Sequence, residues 1–166
     1  MINTSQTQQP TFKDNWNFQL NYYKTVETLL KRNAEYFISV SVATQEQDMK
    51  RATDFVVKIE GGDIAVRIRR KYYKYRDLTI RSKNGIYKTE IDKLKEGWAR
   101  YYLYCWETDD SKIDEWMLVD MNMVRTMKLL EGRQEKYNKD GKTAFICIPF
   151  HELNNNNCIL ASNISV

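Results

Sequence analysis

Apolar residues recur at Trp16, Leu20, Tyr23, Val26 and Leu30, at intervals of four, three, three and four. That rhythm lines one stripe of a helix, and predicts an amphipathic helix over about residues 13 to 32 whose stripe packs on a sheet. From Tyr36 to Val42 the pattern changes to β-branched and aromatic residues, as expected of a strand, and a polar connection with Glu46 and Asp48 follows. Residues 54 to 60 and 63 to 70 then form two apolar-rich runs about Gly61-Gly62, the mark of a β-hairpin. Leu78 to Arg81 reads as a further strand before the tight-turn pair Asn84-Gly85.

Thr89-Glu90-Ile91-Asp92 has the form of a helix N-cap with an acid three residues on, and Gly97 supplies a stop, so a short helix is expected over about 90 to 96. Arg100 to Trp106 and Glu115 to Val119 read as strands joined by the polar turn Thr108 to Ser111. Asp120 is placed to cap a helix carrying Met123, Met127 and Leu130 on one face and ending at Gly132. Thr143 to Ile148 is the last expected strand. These elements predict an α/β (α+β) fold, one mixed central β-sheet flanked by helices. The helix at 90 to 96 would act as the crossover that brings residues 100 to 106 parallel to an earlier strand. Residues 1–11 read as a mobile polar segment, 12–153 as one domain, and 154–166, with its run Asn154 to Asn157, as a loop-like tail.

Composition narrows the function classes. A chain of 166 residues with 42% hydrophobic and 29% charged residues can bury a core of its own. No apolar run reaches the roughly 18 residues of a membrane span, and Met1 to Pro10 lacks a signal-like apolar stretch, which points to the cytoplasm. Cys105, Cys147 and Cys158 are widely spaced and form no metal-binding or disulfide pattern. Neither a GxxxxGK[ST] nor a GxGxxG sequence occurs, which sets aside nucleotide-driven and dinucleotide redox chemistry. His151 is the sole histidine and has no nucleophile beside it, so serine or cysteine hydrolysis is disfavoured. Met121, Met123 and Met127 read as helix packing.

Net charge is +4, but it is unevenly spread. Between residues 67 and 83 lie Arg67, Arg69, Arg70, Lys71, Lys74, Arg76, Arg81 and Lys83 against the single acid Asp77, with Tyr72, Tyr73 and Tyr75 interleaved. Two readings fit this stretch. Lysine and arginine release counterions from a phosphate backbone while tyrosines stack on bases, and basic residues also guard exposed strand edges.

The succession of helix, three strands, helix and strand, with Asp54-Phe55-Val56-Val57 opening the second strand and Ile64-Ala65-Val66-Arg67-Ile68-Arg69 forming the third, resembles the PD-(D/E)XK nuclease superfamily over roughly residues 14 to 107. The resemblance implies a restriction-endonuclease-like core and magnesium-dependent phosphodiester cleavage, with Asp54 as a metal ligand. Arg69 stands where the family carries its catalytic lysine. Because strand side chains alternate, Arg67 and Arg69 share a face with Ala65 and Asp63, while Ile64, Val66 and Ile68 face the other layer.

The chain departs from the family at Arg67, which takes the place of an acidic or amide ligand. A guanidinium cannot bind a metal ion, and it stays protonated, so Arg69 can stabilise a phosphate but cannot act as a base. Asp63 or Glu60 by the turn, Glu46 and Asp48 before the hairpin, or Glu27 on the first helix are the alternative acids. Asp63 shares the face of Arg67 but lies about 13 Å from it along an extended strand. Glu60, Gly61, Gly62 and Asp63 also read simply as a hairpin tip, and Asp54 as a strand or turn cap.

Three functions follow. The first is a magnesium-dependent endonuclease with Asp54, Arg67 and Arg69 at the scissile phosphate, Asp54 and Asp63 as metal ligands, and Arg67, Arg69, Arg70, Lys71, Lys74, Arg76, Arg81, Tyr72 and Tyr73 along the nucleic acid. The second keeps the nuclease-like fold and nucleic-acid binding without catalysis. The third is a phage- or mobile-element-type interaction protein that acts through a protein partner or as a homo-oligomer, for which the chain's eleven tyrosines and four tryptophans are suitable material.

Overall fold

The computed structural model describes residues 12–33, 37–42, 44, 46, 55–59, 62–70, 74–108 and 112–164. In chain order it comprises α1 (Phe12–Asn33), β1 (Phe37–Val42), β2 (Phe55–Ile59), β3 (Gly62–Arg69), β4 (Asp77–Asn84), α2 (Glu90–Lys95), β5 (Tyr101–Glu107), β6 (Ile113–Asp120), α3 (Met121–Thr126), β7 (Lys136–Tyr137), β8 (Thr143–Pro149), α4 (Phe150–Asn155) and β9 (Ile159–Ser162). The class is mixed α+β, as expected. Two sheets replace the single expected one: a six-stranded sheet ordered β1-β2-β3-β5-β6-β9 and a three-stranded sheet ordered β4-β8-β7. Strand β4 leaves the first sheet because its apolar side, Leu78 and Ile80, packs across from that sheet and not within it.

The hairpin pairs β2 and β3 antiparallel, with Ile59 opposite Gly62, so Gly62 belongs to the returning strand. β3 and β5 run parallel, as the crossover reading expects, but the connection carries β4 as well as α2. The period of two then divides the first sheet cleanly. Ile64, Val66, Ile68, Leu103 and Cys105 face α1, where they meet Tyr22, Val26 and Leu30. Ala65, Tyr102, Tyr104, Trp106, Met117 and Val119 face the second sheet and pack with Leu78, Ile80, Ile146 and Ile148. Along α1 the buried stripe runs through Gln19, Tyr22, Val26 and Leu30; Leu20, expected inside, is 48% exposed.

Three helix ends share one closure. Gly97, Lys128 and Asn157 adopt positive φ, and the next residue's N–H reaches back to the carbonyl five residues earlier: Trp98 to Lys93, Leu129 to Val124 and Cys158 to Leu153. Gly97 therefore stops α2 as expected. Lys128, not Gly132, stops α3, which ends at Thr126 and leaves Met127 44% exposed instead of in the expected apolar stripe. Asp120 caps α3 as its sequence position implies, accepting from the N–H of Asn122 at 2.8 Å and of Met123 at 3.2 Å. The asparagine run, read as loop, instead ends α4 and turns the chain into β9, which pairs with β6.

Candidate nucleic-acid interface

Strands β3 and β5 set their side chains in rows: Ala65 beside Tyr102, Arg67 beside Tyr104, and Arg69 beside Trp106. The small Ala65 leaves room for the first ring, and the two arginines lie along the next two. Tyr102 and Tyr104 have ring centroids 5.9 Å apart, and Tyr104 and Trp106 meet edge to face at 5.1 Å. The Arg69 guanidinium lies 6.0 Å from the Tyr104 centroid, and that of Arg76 lies 5.3 Å from Trp106. Arg76 also donates to Glu115 at 2.5 Å, and the Trp106 indole N–H donates to the Tyr75 carbonyl at 3.1 Å.

Glu90 is the centre of this arrangement. Its neighbour Asp92 does the capping, accepting from the Thr89 N–H at 2.8 Å and the Thr89 hydroxyl at 2.7 Å. Freed from that task, the Glu90 side chain enters the space between the sheets, where 7% of it is exposed. One oxygen accepts from Arg67 Nη2 at 3.4 Å and from the Tyr102 hydroxyl; the other accepts the Arg81 backbone N–H at 3.1 Å. That last bond also satisfies the free edge of β4, the outermost strand of its sheet.

The phenols here are donors. Burial, followed by the charge of Glu90, pushes Tyr102 well above the usual tyrosine range. Burial pushes Tyr104 up to about 12, and its hydroxyl donates to the Thr79 carbonyl at 3.4 Å. Both therefore stay protonated at neutral pH, but each is buried and its hydroxyl already donates within the core, so what the row turns toward solvent is the charge of Arg67 and Arg69, and it holds no base.

The other expected site residues are scattered. Asp54, Lys71, Tyr72, Tyr73, Glu60 and Asp48 lie outside the described residues. Asp63 sits at the hairpin end of β3, opposite Lys58. Glu27 is on α1, behind the sheet from Arg67, and pairs with Lys31 at 3.0 Å; Glu46 is exposed. Arg70 turns to the α1 side and lies 4.2 Å over the Phe18 ring. Lys74 is exposed, and its carbonyl accepts from Arg76 Nη1 at 3.0 Å. Arg81 is exposed on β4, on the opposite side from the buried Leu78 and Ile80. The basic stretch is consequently distributed over several surfaces: Arg67 and Arg69 share one face of β3, Arg70 turns to the other, and Arg81 stands on the outer side of β4.

Sequence reasoning passed over Glu90, Tyr102, Tyr104 and Trp106. The signal for Glu90 was available: with Leu94 it occupies positions i and i+4 of a short helix, which lie on one face. Among the described residues no group of three or more histidine, cysteine, aspartate or glutamate side chains is placed to hold a metal ion. Both oxygens of Glu90 already accept donors, one of them a guanidinium, so this carboxylate is committed as an internal counter-charge. All three cysteines are free, and burial raises the thiols of Cys147 and Cys158. No described helix is long and apolar enough to cross a membrane. No family model matches this chain, and no curated protein matches it.

Proposed function

We propose that this chain is a nucleic-acid-associated protein on a restriction-endonuclease-like core that binds a phosphate backbone without cutting it. The core reading is supported by α1 packed behind three antiparallel strands and by the helix-bearing crossover to a parallel fourth. One observation carries the functional reading: Arg67 stands where the resemblance places a metal-ligating acid, and its guanidinium is bound to the buried Glu90. Held against Glu90, that guanidinium can neither ligate a metal ion nor activate a water, which removes the chemistry of cleavage from this position.

The test is binding and cleavage measured on the full chain. Labelled single- and double-stranded oligonucleotides should bind with an affinity that falls linearly in log K against log salt, and should survive incubation with magnesium or manganese. Divalent-metal-dependent cleavage that Asp54→Ala abolishes would establish an active endonuclease and overturn the proposal. Absent or salt-insensitive binding would overturn it from the other side, in favour of a protein-partner role.

A further inference from the structure

The three-stranded sheet has an outer surface that neither core cluster uses. On β8, Ala144, Ile146 and Ile148 point inward, which turns Phe145 and Cys147 outward. On β4, Leu78 and Ile80 point inward, which turns Thr79 and Arg81 outward. Register then sets Arg81, Phe145 and Lys136 side by side across the three strands, with Thr79 beside Cys147 in the adjacent row. Asp77 shares this side of β4 with Thr79 and Arg81.

Charge singles this row out. Of the arginines whose side chains are described, Arg67, Arg76 and Arg133 are in ion pairs, Arg125 is bound to backbone carbonyls of Leu94, Trp98 and Ala99, and Arg69, Arg70 and Arg100 lie against rings. Arg81 is exposed, and among the described residues its side chain has no hydrogen-bond, ion-pair or ring partner; the Lys136 side chain has none of these either. Phe145 lies between them and belongs to neither core cluster. The acid on this surface, Asp77, accepts from the Thr79 hydroxyl at 3.2 Å and lies about 13 Å along β4 from Arg81. Two strand spacings put the cations about 10 Å apart, with an aromatic ring midway.

We infer that the outer surface of this small sheet is a single-stranded nucleic-acid platform, in which Phe145 stacks on a base while Arg81 and Lys136 hold the phosphates to either side. A flat sheet suits unpaired bases because every base has a face to stack, whereas a duplex hides those faces. The inference rests on the nucleic-acid reading above and gives it a location on the outer side of the second sheet, where the Arg81 side chain stands although Glu90 holds its backbone N–H on the free edge of β4.

The experiment is anisotropy titration of a labelled oligothymidylate about 15 nucleotides long against wild type, Arg81→Ala, Lys136→Ala and Phe145→Leu, over about 50 to 200 mM salt. Each cation removed should reduce the slope of log K against log salt by about 0.7, and Phe145→Leu should weaken binding about tenfold while leaving the slope unchanged. Lys95→Ala, an exposed cation on α2, serves as the control and should alter binding less than any of the three. Urea midpoints should match wild type, because none of these side chains enters a core cluster.

Salt-sensitive wild-type binding that survives all three substitutions would overturn this location and leave the nucleic-acid reading standing. Loss with the cations but none with Phe145→Leu would overturn the stacking platform. A wild type that binds no oligonucleotide overturns both.

Discussion

The Arg67–Glu90 pair can be tested by a double-mutant cycle. The Glu90 side chain is 7% exposed and the Arg67 side chain 23%, and Glu90 also receives the Tyr102 hydroxyl and the Arg81 N–H. Removing one partner of a buried pair costs about 3–5 kcal/mol. The partial solvent access of Arg67 places Glu90→Ala near the lower end, about 3 kcal/mol, or roughly 6–12 °C in Tm for a chain of this size. Glu90→Gln keeps an acceptor for Tyr102 but leaves the guanidinium without a counter-charge, and Arg67→Met leaves the carboxylate with two neutral donors; each should cost about 2 kcal/mol. Combined, they should cost about 1–2 kcal/mol less than their sum, since neither charge is then left alone. The assay is urea unfolding at neutral pH, with slopes compared to confirm a common unfolding reaction. Additivity to within about 0.5 kcal/mol would refute the claim that these two residues act as one unit.

Two further predictions concern pH. Tyr102 and Tyr104 ionise above the ordinary value of 10 in the folded protein, so their contribution to stability is complete below that pH and is lost as pH rises through the folded values, which for Tyr104 means from 10 to about 12. Ultraviolet titration should show a late tyrosine step that Tyr104→Phe diminishes; a single step near 10 for all tyrosines would contradict the buried row. At the acid end, hydrogen bonding to Arg133, and then its charge, hold the Glu152 carboxyl below its usual 4.5 against an opposing effect of burial. Its contribution is present above 4.5 and lost as pH falls through the lower folded value, so Arg133→Met should flatten the acid limb of a stability profile. An unchanged limb would show that the pair adds nothing.

Local signals in the sequence specified local structure well. The α1 helix, the hairpin, the Asp120 cap and the Gly97 stop each depend on residues within a few positions of one another, and each appears in the structure, although of the expected α1 stripe Val26 and Leu30 are buried and Leu20 is exposed. The choice of strand partners does not, and that is where the single expected sheet gave way: Leu78 and Ile80 declare that β4 has an apolar side, but nothing within β4 says whether that side lies in the first sheet or across from it. The tail misled for a related reason. Asn154 to Asn157 have loop-like composition, yet Asn157 is suited to the left-handed turn that ends α4, and β9 needs only four residues because it is an edge strand. At the candidate site, the faces of Arg67 and Arg69 were legible from alternation alone. Their partners were not, because Glu90 lies 23 residues from Arg67 and nothing local to a helix start says which distant side chain its carboxylate will meet. Asp54 lies outside the described residues, so its role rests on the resemblance.

The strand order carries a consequence for how the chain comes to be folded. β3 and β5 are neighbours in one sheet, but the chain between them builds β4 of the other; β4 must then wait for β8, and β6 for β9. The two sheets are thus threaded through one another along the sequence, and the first to begin is the last to be completed. Once the chain has run as far as Pro149 every strand of the smaller sheet exists, while the larger one still lacks β9. Without β9, strand β6 would become an open edge of the larger sheet.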